Sequence, residues 1–309
     1  MAELVQSKMN GRIVGTLMEK KLEEVDSTRT INGVEKECKA IRGTLSVKTN
    51  NGTFDISVWT SSLNGNGEES KLYKSYETVM NDYVSASDNV DNADTIDCLI
   101  NMGINDYCNR EKTEVRSSVR FRLSIVNRVA DKEGVELSSD LELECYIDSI
   151  KKEKKNDEPT GRLIVEVIGV DYSGNAQPYT LYVEEDLADD FEDIYSVGDN
   201  AMLYLTAKMA HVGGEVKKKK TAFGKKGNIE SSGYDRLELV IIGGEDSYED
   251  IDDDDYEGFG LTKKEVKKLK EDREILLEQK LNDAKAKDNT PKSNGGFERK
   301  PMNKEEVPF

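Results

Sequence analysis

One histidine, one tryptophan and five prolines in 309 residues leave little material for several familiar chemistries. His211 stands alone, and Cys38, Cys98, Cys108 and Cys145 lie far apart with no CxxC pair, so the spacing of a zinc site is missing. The cysteines read as small buried or half-buried thiols in a reducing compartment. No apolar run reaches the length of a membrane span, and Met1 to Gln6 lack the basic start and apolar stretch of a signal peptide. A cytoplasmic protein is expected. Neither a nucleophile beside a base, nor a phosphate-gripping glycine loop, nor a carboxylate cluster with metal spacing stands out. The expectation is a binding protein, not an enzyme, with no metal and no cofactor.

What the chain has in excess is acid. The formal net charge is -18, and the run from Glu245 to Glu257 holds nine carboxylates and no base. Within it, Asp252 to Asp255 lack the alternating ligands and central glycine of a calcium loop and read as solvated acid. Because the acidity is concentrated, the overall charge does not argue against a polyanionic partner, provided the bases are clustered elsewhere. The 36% hydrophobic content suits two modest domains with polar extensions.

Residues 10–130 read as strands around one helix. Arg12 to Met18 supplies a first strand. Ile41 to Lys48 and Phe54 to Trp59 alternate apolar with polar on either side of Asn51-Gly52, a hairpin signal. Leu72, Tyr76, Val79 and Met80 share a helical face, and strands return at Cys98–Ile104 and Val119–Ile125. Residues 141–244 repeat that order: strands at Leu143–Ile150, Leu163–Val170 and Tyr179–Val183, a helical face at Leu187, Phe191 and Ile194, then strands at Ala201–Met209 and Leu237–Ile242. Three strands, a helix and two strands, occurring twice, predict a mainly β protein with two tandem five-stranded barrels of the oligonucleotide-binding (OB) type.

After an acidic linker, residues 245–260, a helix is predicted over 261–288. Thr262 and Glu265 have capping-box spacing, and Leu261 with Val266 can form a hydrophobic staple. Its stripe of Val266, Leu269, Leu276, Leu277, Leu281 and Ala284 needs a cover, either the chain's own barrels or a second copy. Residues 289–309 read as a disordered tail.

Single-strand binding needs cations along a groove and exposed rings on which bases stack. With Leu45, Val47, Ile56 and Val58 facing in, Arg42, Lys48 and Trp59 face out. With Val119, Phe121, Leu123 and Ile125 inside, Arg116, Arg120 and Arg122 share the other face. Trp59 is open to a second reading, in which it packs under the loop Ser61–Glu69 or against the helix. In the second repeat, Lys151, Lys152, Lys154 and Lys155 are expected between its first two strands. Lys217, Lys218, Lys219, Lys220, Phe223, Lys225 and Lys226 are expected between its last two. Those are the two gripping loops of an OB barrel. Tyr182 is a further outward stacking candidate.

The chain ends in Glu305-Glu306-Val307-Pro308-Phe309, an acidic lead into an apolar residue, a proline and a terminal phenylalanine. This resembles the C-terminal tip of bacterial and bacteriophage single-stranded DNA-binding proteins. The resemblance implies an OB fold, low-specificity coating of unpaired DNA during replication, recombination or repair, and docking of partner proteins at the tip. The chain departs from that pattern in placing Arg299, Lys300 and Lys304 just before the tip and its strong acid far upstream. Two other readings stay open: an adaptor whose barrels bind proteins, and an RNA-binding module. A homo-oligomer is open too, through the amphipathic helix.

Overall fold

The computed structural model describes residues 4–131, 133–155, 157–212, 233–249, 251 and 258–289. Its elements run β1 (Met9–Ile31), β2 (Val34–Thr49), β3 (Gly52–Ser61), α1 (Lys71–Asp82), β4 (Thr95–Cys108) and β5 (Val115–Arg128), then β6 (Ser139–Lys155), β7 (Glu158–Val170), β8 (Ala176–Val183), α2 (Ala188–Ile194), β9 (Asn200–Val212), β10 (Tyr234–Gly244) and α3 (Lys263–Asn289). The first five strands close on themselves in the order β1-β2-β3-β5-β4-β1. Every pairing is antiparallel except β3 with β5. The second five close as β6-β7-β8-β10-β9-β6, again with one parallel pair, β8 with β10. A helix between the third and fourth strands completes the OB arrangement twice.

The barrels form because alternation sends one face of every strand inward. Ile41, Leu45, Val47, Phe54, Ile56 and Val58 are buried in barrel one, as are Leu143, Val165, Leu181 and Leu203 in barrel two. Helix α1 starts where the Ser70 side chain accepts from the Tyr73 amide, and it buries Tyr73, Tyr76 and Val79. Tyr76 satisfies its hydroxyl inside the core by donating to the Leu123 carbonyl at 2.9 Å.

Three local expectations change. The β2–β3 hairpin turns at Asn50-Asn51, and Gly52 opens β3. The first strand is far longer than Arg12 to Met18, because Asn32 and Gly33, at φ 51° and 78°, make a tight turn that extends β1 and β2 into an arm beyond the barrel. In β5 the register against β4 shifts between Leu99 and Ile100. This turns Ile125 outward, where it is 49% exposed, and Val126 fills the core instead.

The barrels are joined by main chain. Met9–Ile13 of β1 pairs with Ser139–Leu143 of β6, merging both barrels into one ten-stranded sheet. Asn51, at the barrel-one turn, donates its side-chain amide to Ser139 Oγ and Thr206 Oγ1 at 3.1 and 3.0 Å. The Ile104 amide donates to Gln177 Oε1 at 2.8 Å.

Helix α3 docks on its own chain. Thr262 and Glu265 form the reciprocal capping box, at 2.9 Å and 3.3 Å. Phe259, Leu261, Val266 and Leu269 are buried against Tyr146, Ile168, Val170 and Ala176 of barrel two. Farther along, Leu276 stays about half exposed, while Leu277, Leu281 and Ala284 are half-buried, so the later part of the stripe is only partly covered. The start of the acidic stretch is also seated on barrel two: the Tyr195 hydroxyl donates to the Glu245 carbonyl, Tyr204 donates to the Glu245 carboxylate, and the Tyr248 amide donates to the Asn200 carbonyl. Among the described residues, no helix is long and apolar enough to cross a membrane.

Candidate nucleic-acid interface

The outer face of β2, β3 and β5 carries the first group of predicted residues. Pairing of β2 with β3 sets Arg42 opposite Trp59, and the parallel pairing of β3 with β5 sets Arg122 beside Ser57. Arg120 donates its Nε to Ser57 Oγ at 2.8 Å. Trp59 is 59% exposed. It does not lie under the loop that follows β3, because that loop folds back on the arm instead: Arg29 donates to the Leu63 carbonyl at 2.6 Å, and Leu63 bridges to Glu69.

The tertiary arrangement thus brings Trp59, Arg42, Arg120 and Arg122 onto one surface. Arg42 is engaged with Glu23 of β1 at 2.7 Å, but both side chains are more than half exposed. Such a pair contributes about 0–1 kcal/mol and can be exchanged for a phosphate. Among the described residues, no acid pairs with Arg120, Arg122 or Lys48. Lys48 lies farther along β2, opposite Thr53. Arg116 lies near the tip of the β4–β5 hairpin, where it pairs with Glu114 at 2.6 Å and stands apart from the group.

Arg120 and Arg122 also form one wall of a groove of about 620 Å³ between the barrels. Asn101 and Asn105 line the same wall. Across the groove stands the β7–β8 turn with Tyr172, which is 86% exposed. In the sequence Tyr172 marks only a turn, Tyr172-Ser173-Gly174-Asn175, between two strands. The signal that could have marked it is an aromatic ring at a turn position, with no core to bury it.

Barrel two corrects the lysine reading. Lys151, Lys152, Lys154 and Lys155 lie on β6 itself, which continues to Lys155, and not in a loop. Lys151 and Lys152 point to opposite sides of the strand, and the register against β7 shifts between Lys152 and Lys154. Lys151 pairs with Glu166 at 3.0 Å, and Lys152 lies 3.6 Å from Glu192 of α2. Among the described residues, Lys154 and Lys155 have no acid in ion-pair contact.

Tyr182 is corrected as well. It points away from the barrel interior, as the alternation implies, but it is only 8% exposed. The guanidinium carbons of Arg162 and Arg236 stand 4.9 and 5.2 Å from its ring centre, leaving no free stacking face. Both arginines hold Glu238, which is 4% exposed, with Arg162 Nη2 at 2.9 Å and Arg236 closer still. Burial pushes the Glu238 carboxyl up, but the bonds from Arg236 and Arg162 outweigh it and leave the group below its ordinary range. Burial also raises the Tyr182 hydroxyl. This part of barrel two is closed by its own charges.

Lys217 to Lys220, Phe223, Lys225 and Lys226 lie outside the described residues, as do Asp252 to Glu257 and the tip Glu305 to Phe309. Among the described residues, no group of three His, Cys, Asp or Glu is placed to hold a metal ion.

The YorF family model matches residues 8–283, and the chain belongs to that family. The chain is similar in structure to the wild-type single-stranded DNA binding protein from Thermus aquaticus, at 9% identity and a TM-score of 0.41 over 78% of this chain and 94% of that one. A deletion and substitution mutant of the same Thermus aquaticus protein gives 10% identity and a TM-score of 0.43 over 79% and 97%. At these TM-scores neither likeness bears on ligand or residue roles. No curated protein matches the sequence.

Proposed function

We propose that this YorF-family chain binds single-stranded DNA with low sequence specificity, coating unpaired strands during replication, recombination or repair. The observation that supports the reading most directly is Trp59, more than half exposed on the outer face of an OB barrel, beside Arg42 and on the surface that carries Arg120 and Arg122. Exposing a tryptophan forgoes the free energy of burying its large apolar area, and a base stacked on the ring restores it. The arginines supply phosphate contacts. Neither kind of contact depends on base identity, so the binding is sequence-tolerant and falls with salt.

In a duplex the bases are already stacked on each other, so a ring such as Trp59 finds a partner only in an unpaired strand. We read the protein as a binder that uses no cofactor and catalyses no reaction. The tip Val307-Pro308-Phe309 would recruit replication or recombination proteins, its proline limiting the entropy lost on docking and its phenylalanine filling an apolar pocket.

Because Trp59 is the only tryptophan, titration of the whole protein with oligo-dT at two salt concentrations is a direct test. Quenching of its fluorescence is expected, stronger at low salt and weaker with duplex DNA. Replacement of Trp59 by alanine should cost about 1–3 kcal/mol of binding. No quenching together with no mobility shift at low salt would overturn the proposal and favour a protein-binding adaptor. Equal affinity for RNA would broaden the ligand class.

A further inference from the structure

We infer that the groove between the two barrels is a second base-binding position on the same strand path, in which one unpaired base stacks on Tyr172 while its flanking phosphates lie on Arg120 and Arg122. The inference rests on the single-strand-binding reading above and extends it to a place outside barrel one.

The ring is presented on a rigid support. Asp171 accepts from the Ser173 and Asn175 amides, both at 2.9 Å, from Asn175 Nδ2 at 3.3 Å and from Gln177 Nε2 at 3.1 Å. Gln177 in turn accepts from the Ile104 amide of β4. The turn carrying Tyr172 is therefore tied to the opposite wall, and the width of the groove is set by hydrogen bonds. A ring held open to solvent by such a network offers a stacking face at little entropic cost.

The charges favour an anion. Two carboxylates line the groove, and both are already engaged. Asp171 takes the four donors just described. Glu144 takes the Lys8 amide at 2.7 Å and the Tyr248 hydroxyl at 3.1 Å. By contrast Arg120 has only the Ser57 hydroxyl, and no hydrogen-bond partner or acid is present for Arg122 among the described residues. Two available cations, one free aromatic face, the side-chain amide of Asn105 and that of Asn101, whose Nδ2 donates to Ser124 Oγ at 2.8 Å and whose oxygen can still accept, lie within about 620 Å³ and match a nucleotide in kind and size. A carboxylate-bearing peptide would use the cations and leave the ring and amides idle. The position is also continuous with the first, since Arg120 is bonded to Ser57, two residues from Trp59 on the same strand face.

The test uses the full chain with Tyr172→Ala and Tyr172→Phe, and oligo-dT of about 8 and about 30 nucleotides, lengths that serve one barrel and both. Tyr172→Ala should weaken binding of the longer strand roughly tenfold, while Trp59 is still quenched at saturation by either strand. Tyr172→Phe should restore wild-type affinity, because stacking needs the ring and not the hydroxyl. An oligonucleotide carrying 5-iodouracil should photocrosslink to the peptide containing Tyr172. If the wild type binds and quenches normally but Tyr172→Ala stays within about twofold on the longer strand, the groove is not on the path and the reading of Trp59 stands. If the wild type binds neither strand at low salt, both fall together.

Discussion

Arg273 of α3 places its Nη2 2.7 Å from Asp106 Oδ1 of β4, and its Nη1 reaches the main-chain oxygen of Ala176 on β8 at 3.3 Å. One guanidinium thus ties the helix to both barrels. The two side chains are only 15% and 20% exposed, so the pair is largely out of water. Arg273→Ala is expected to lower the unfolding free energy by about 1–3 kcal/mol, discounted from the cost of breaking a fully buried pair. Arg273→Lys should recover only part, since one ammonium does not reproduce the fork. Urea unfolding measures the loss, and hydrogen exchange along α3 should show faster opening.

Arg120 and Arg122 make a prediction about salt. If each neutralises one phosphate, changing both to glutamine removes two contacts, and the slope of log affinity against log salt should become shallower by about 1.4. Trp59 quenching at saturation should persist, because stacking is untouched. An unchanged slope would place the phosphates elsewhere.

Glu238 gives a pH dependence. Its folded-state carboxyl lies below the ordinary value of 4.5, so it contributes stability above that value and loses it as the pH falls through the lowered one. Glu238→Gln should lower the melting temperature at neutral pH and flatten the stability curve below pH 4.5. Melting curves of both proteins across that acid range provide the check, and parallel curves would assign the acid sensitivity to other groups.

The acidic stretch is best tested away from Glu245, whose contacts with Tyr195 and Tyr204 support barrel two. If this tethered acid competes with DNA for the lysines Lys217 to Lys226, replacing Asp252 to Asp255 with asparagine should tighten DNA binding at low salt. Unchanged affinity at low salt would end the competition idea.

Removal of Val307, Pro308 and Phe309 should abolish capture of replication or recombination proteins while leaving oligo-dT affinity nearly constant. A large loss of DNA affinity in that truncation would contradict a separate docking role for the tip.

Much of the architecture was legible from local pattern. Alternation in Ile41–Lys48 and Phe54–Trp59 fixed which side faced the core, and the outward position of Trp59 followed directly. The capping box at Thr262 and Glu265 was likewise a local signal with a local cause. Ile125 was misplaced because a register shift is a property of two strands, and β5 alone carries no mark of it. The arm from β1 to β2 had a readable signal in Asn32-Gly33, between polar stretches that lack the apolar run expected of a strand.

The candidate site divides along the same line. Residue types and periodicity determined that two OB barrels form and that Arg42, Trp59, Arg120 and Arg122 stand outside them, because these outcomes follow from a period of two and the cost of exposing apolar area. Which outward residues remain available was decided only in three dimensions. Arg162 of β7 meets Arg236 and Glu238 of β10, a strand far away in the chain, and the two arginines close over Tyr182, whereas the β7–β8 turn brings Tyr172 across from Arg120 and Arg122. Strand pairing and interbarrel hydrogen bonds set those neighbours, and no sequence window contains them.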